Sequence, residues 1–180
     1  METYAAEEDT YNFEVEQLHN YFVNSSGVLV HNGDGDGNTS GFEKTDTFAA
    51  DIYEVKDLNS GEVIYVGKTI QGVDARLEHH LIDPKSALYD YINNPSSEGY
   101  ISPNDSLRTA PNFPKNLIDT VLQSTSRKKS DGWTRYETAV WEQYYIDKHG
   151  GVGGGKLINR INAITPEKFV LYSQGHNPCM

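Results

Sequence analysis

Tyr53 and Tyr65 each sit inside a short run that alternates like a strand, residues 50–55 and 63–68, joined by Asp57-Leu58-Asn59-Ser60-Gly61. Lys68 closes the second run. Arg76 and His80 follow four residues apart, which on a helix puts them on one face, with His79 three along from Arg76 and near it. A guanidinium fork binds two oxygens of an anion together, and an imidazole suits proton transfer near neutrality. A phenol, with an ordinary pKa of about 10, is a poor base at neutral pH unless a neighbouring cation such as Lys68 lowers that value. Further on come Arg127-Lys128-Lys129, Glu142 and two asparagines, Asn159 and Asn162. Taken singly, each has a plain structural reading. Strand tyrosines are packing residues, an Arg-x-x-x-His pair is a solvated helix face, and a basic triplet is a solvated turn. Trp133 and Trp141 read as core. Glu137 reads as a first-turn carboxylate on the helix dipole. It lies about 140° around the helix from Glu142, so the two do not share a site.

The elements that must hold these residues fall into three zones. Residues 1–32 contain a strand-like run at 11–16 and a hairpin, Tyr21-Phe22-Val23 and Val28-Leu29-Val30 around Asn24-Ser25-Ser26-Gly27. Residues 33–47 are rich in Gly, Asp, Asn, Ser and Thr and read as a linker, with too few ordered ligands for a calcium loop. Residues 48–180 form the main domain. After the two tyrosine strands, residues 74–82 read as a helix with Val73, Leu77 and Leu81 on one face, stopped by Pro84. Residues 89–114 read as a long insertion with one helical turn, 116–123 as a third strand, and 133–149 as a strong helix ended by Gly150-Gly151. Residues 157–162 return to the body. The order β-β-α-β-α implies an α/β (α+β) fold, a small three-stranded, mainly antiparallel sheet flanked by helices.

The net charge of −11 over 180 residues argues against a basic nucleic-acid footprint. Its distribution softens that objection. Residues 1–47 hold ten carboxylates and one lysine, for −9, and residues 48–180 hold sixteen carboxylates and fourteen Lys or Arg, for −2. The single cysteine, Cys179, rules out an intramolecular disulfide. No apolar run reaches the roughly 18 residues of a membrane span, so no membrane partner is expected. The acidic start has no basic n-region, so no signal peptide is expected either.

Residues 50–162 resemble the GIY-YIG nucleases. The first motif stands as Asp51-Ile52-Tyr53, with Asp where the family has Gly, and the second as Tyr65-Val66-Gly67. Their spacing, Arg76 on the next helix, a carboxylate on a later helix and a downstream Asn all agree. The resemblance implies phosphodiester hydrolysis with one divalent metal, Mg2+ or Mn2+, on Glu142. Tyr53 would lie near the attacking water with Tyr65 supporting it, Arg76 would bind phosphate, and His80 would hydrogen-bond or shuttle a proton. Lys68 completes the catalytic group. Gly67, Asn159, Arg127, Lys128 and Lys129 are the candidate substrate contacts, with Asn159 better suited to anchoring backbone.

Residues 11–15, 19–23 and 27–32 resemble the tail of a Hint domain, the self-cleaving fold of inteins and pretoxin segments. In that family the final Asn cyclises and cuts the chain, assisted by the preceding His, which here gives His31 and Asn32. The half of that fold carrying the nucleophile is not matched, so self-cleavage is not expected. A Hint remnant before a nuclease is the layout of a polymorphic toxin tip. It implies delivery by a larger carrier into the cytoplasm of competing bacteria, DNA more than RNA as target, and a cognate immunity protein as partner. The alternatives are an inactive binding module of the same fold and a repair or homing nuclease.

Overall fold

The structure, a computed structural model, describes residues 20–23, 28–31 and 46–173. The chain divides into two compact units, Met1–Gly41 and Phe42–Met180. In the first, β1 (Asn20–Val23) and β2 (Val28–His31) pair antiparallel, with Phe22 opposite Leu29. This is the expected hairpin, and His31 closes it. The expected strand at 11–16, Asn32, the linker through residue 45, and Cys179 lie outside the described residues.

The second unit runs β3 (Thr47–Asp57), β4 (Val63–Thr69), α1 (Val73–Ile82), α2 (Ala87–Asn93), α3 (Ser106–Thr109), a 3-10 turn at Lys115–Leu117, β5 (Leu122–Thr134), α4 (Arg135–Lys148) and α5 (Pro166–Ser173). The three strands form one antiparallel sheet in the order β4-β3-β5, flanked by helices, an α+β architecture. β3 is central and serves both faces, as period-two alternation requires. Tyr53 and Val55 pack with Leu77 and Leu81 of α1 and Leu88 and Ile92 of α2. Phe48, Ala50 and Ile52 pack on the other side with Val66, Trp133 and Ile146 of α4. Ile52, Tyr53 and Val55 are fully buried, and each such side chain contributes about 1.5–3 kcal/mol.

Local chemistry sets the helix ends. Thr134 and Glu137 form a reciprocal capping box at the start of α4, so Glu137 has the structural role its sequence position suggests. Gly150, at φ 97°, takes the chain out of α4 through the left-handed region that glycine adopts without strain. Ser86 caps α2 by accepting from Leu88 N at 3.2 Å.

Three expectations are corrected. The third strand is not 116–123 but Leu122–Thr134. The apolar run before it is a turn: Leu117 plugs the core, and Asp119 at φ 70° bends the chain. Arg127-Lys128-Lys129 is therefore strand, not turn. Among the described residues β5 is laddered only with β3, so it is an edge strand, and an edge strand carries charge well. Finally, a regular helix, α2, starts before the expected insertion and runs into it, with Leu88 and Ile92 fully buried.

Candidate active site

The site begins at the pairing of β3 with β4, where Tyr53 lies opposite Gly67 and Val55 opposite Tyr65. Both tyrosines thus share the face covered by α1. Their ring centroids are 6.4 Å apart. A Cβ on Gly67 would lie 2.7 Å from Tyr53 Oη and 2.8 Å from a Tyr65 ring carbon. Gly67 is therefore a packing requirement of the two rings, a simpler role than contact with substrate.

α1 brings Arg76 and His80 onto this face, both buried. The His80 ring meets Tyr65 edge-on, 5.3 Å between centroids. Its Nδ1 is 3.0 Å from Ser86 Oγ, the hydroxyl that also caps α2. The α2 cap therefore sets the orientation of the imidazole. Asp51, at the motif's Gly position, is buried on the same face; it accepts from Ser126 Oγ at 2.6 Å and pairs with Lys129 Nζ at 2.9 Å. Beside it an open cleft of about 430 Å³ runs between β5 and the start of α1.

Tyr53 differs from expectation in its electrostatics. Burial, then the Tyr65 phenol and the Glu142 carboxylate, hold its hydroxyl well above the ordinary phenol range. Arg76 is close enough to oppose the shift. Tyr53 Oη makes no well-formed hydrogen bond, and Arg76 is the side chain within reach of it. The expected lowering by Lys68 is not seen; Lys68 Nζ pairs with Glu142 Oε2 at 3.2 Å. Tyr53 is thus a neutral buried hydroxyl whose bonding capacity is incompletely met.

The Lys68–Glu142 pair is largely buried, its side chains 17 % and 12 % exposed. Among the described residues no cluster of three or more His, Cys, Asp or Glu is arranged for a metal. A divalent cation here would therefore hold one protein carboxylate, Glu142, and take its other oxygens from water and substrate phosphate, a pattern Mg2+ accepts.

The remaining candidates have other duties. Asn159 does not face this group: its Oδ1 accepts from Val66 N at 3.0 Å and its Nδ2 donates to Val66 O at 2.8 Å, extending the sheet at the β4 edge. Asn162 accepts from Gln143 Nε2 at 3.2 Å. Lys128 Nζ lies 3.7 Å from the Trp141 ring centroid. Arg127 reaches Glu54 across the opposite face. His31 belongs to the other unit. Sequence reading missed Ser86 and the buried Glu54. Glu54 carried a usable signal, a charge at an inward position of the alternating Ala50–Ile52–Glu54 row. No family model, curated protein or solved structure matches the chain.

Proposed function

We propose that the second unit is a metal-assisted endonuclease of the GIY-YIG type, cutting DNA and acting as a toxin against competing bacteria. The observation that carries the reading is the meeting of Tyr53, Tyr65, Arg76 and His80 on one face, within the electrostatic reach of Glu142. Hydrolysis forms a new P–O bond from water, breaks the P–O bond to the leaving oxygen, and moves one proton from water to that oxygen. In this reading Arg76 holds the phosphate oxygens with its planar fork. His80, fixed by Ser86, takes and returns the proton. Tyr53 stays protonated and donates a hydrogen bond to the attacking water or a phosphate oxygen. Mg2+ or Mn2+ on Glu142 would supply stabilisation of charge on the phosphate and leaving oxygen.

The toxin role, delivery by a larger carrier and an immunity partner rest on the Hint-like residues 11–32. A plasmid-nicking assay with and without magnesium tests the enzyme. Arg76→Ala and Glu142→Ala are each expected to cut the rate at least about 100-fold, the scale of a lost charge-stabilising group. Nicking that is unaffected by both would remove the proposal. The Lys68–Glu142 pair favours one second reading, a binding module whose cation is a lysine. Under it, wild type retains DNA with no metal supporting a cut.

A further inference from the structure

A charged cluster on the α4 side of the sheet is not used by the proposed reaction. Glu54 follows Tyr53 in β3, so it points to the opposite face, where it is 2 % exposed. Its Oε2 accepts from Arg127 Nε at 2.5 Å, and its Oε1 is 2.7 Å from His149 Nε2. Arg127 is the extra residue at a register slip, since Ile52 pairs with Lys128 and Tyr53 with Ser126. A bulge of this kind re-aims a side chain, and here it sends the guanidinium across to Glu54. Each base gives Glu54 a single nitrogen. The Nη groups of Arg127 and Nδ1 of His149 make no hydrogen bond among the described residues, and the two side chains are 42 % and 24 % exposed.

We propose that Arg127 and His149, held in place by Glu54, form a binding site for a backbone phosphate of nucleic acid, separate from the scissile one. A buried carboxylate on Nε fixes the guanidinium plane and leaves the Nη edge for oxygens, so little freedom is lost on binding. In its protonated form the imidazole adds a second donor from Nδ1. The neighbours continue the charge. Lys128 lies on Trp141, and Lys148 Nζ is 5.5 Å from the Tyr145 ring centroid. The Tyr145 hydroxyl donates to the Arg127 carbonyl at 3.4 Å. Arg127, Lys128, Lys148 and His149 thus line β5 and the end of α4 in a chain of net charge −11. A row of cations matches a polymer of phosphates better than a single anion does. This inference rests on the nucleic-acid reading above and names how that substrate is held away from the cut.

The test is fluorescence anisotropy of a labelled 20-base-pair DNA duplex in EDTA, so that no turnover intervenes. Arg127→Gln is expected to weaken binding about ten-fold and to lower the slope of log affinity against log salt by about one. NMR of the wild type covers misfolding of the variant: the same duplex is expected to shift the Arg127 side-chain and His149 ring signals. Unchanged affinity and slope in a folded Arg127→Gln, or unmoved signals in the wild type, overturn the proposal, as does absence of binding. Displacement of DNA by polyglutamate at equal charge concentration overturns it in favour of an acidic protein partner. Nicking on the same preparations separates the two readings. DNA binding that depends on Arg127 without nicking removes the nuclease, whereas nicking with binding indifferent to Arg127 removes only this site.

Discussion

At the scale of single residues, Tyr53 links packing to proton chemistry. Because the folded chain raises its pKa, the phenol keeps its proton at pH values where the unfolded chain loses it. Its contribution is therefore whole below about pH 10 and is lost as pH rises through the folded value. Thermal melts are expected to show stability falling above that pH in wild type, less steeply in Tyr53→Phe. At neutral pH Tyr53→Phe is expected to be close to neutral, since it removes a buried hydroxyl with no well-formed hydrogen bond. Nicking would fall regardless, which separates function from fold. Gly67→Ala makes the opposite case. Its Cβ collides with both tyrosines, so a loss of about 1–3 kcal/mol in denaturant unfolding is expected.

At the scale of elements, the loop after α4 is tied to the β4 edge by the Ile158 amide, which donates to Ile64 O at 2.7 Å, and by the Asn159 side chain. Asn159 occupies both backbone groups of Val66, as a neighbouring strand would. Asn159→Ala leaves those groups without their partner and is expected to cost about 1–3 kcal/mol, with faster hydrogen exchange at the Val66 amide than elsewhere in β4. Elements with strong periodicity were legible in the sequence: the β1–β2 hairpin, the tyrosine strands, α1 and α4 stand where their patterns put them. β5 was not, because Ser124 to Ser130 is polar throughout and its strand character comes from pairing with β3, not from its own residues. The same holds for the site. Arg76 and His80 were legible as a pair from their spacing. The Glu54–His149 contact joins residues 95 apart and left no local trace.

At the scale of the molecule, the acidity is concentrated ahead of the sheet in sequence, and the chain divides into two compact units. Deleting residues 1–41 is therefore expected to move the melting temperature of the remainder by no more than the roughly 4 °C that 1 kcal/mol produces in a domain of this size. Calorimetry of both forms measures it. A larger drop would show that the front supports the sheet. The order β4-β3-β5 has one more consequence. Tyr53 and Glu54 are joined by a single peptide group, yet their side chains enter opposite chambers. That peptide is a partition shared by two rooms, and its amide resonance should register an occupant of either one.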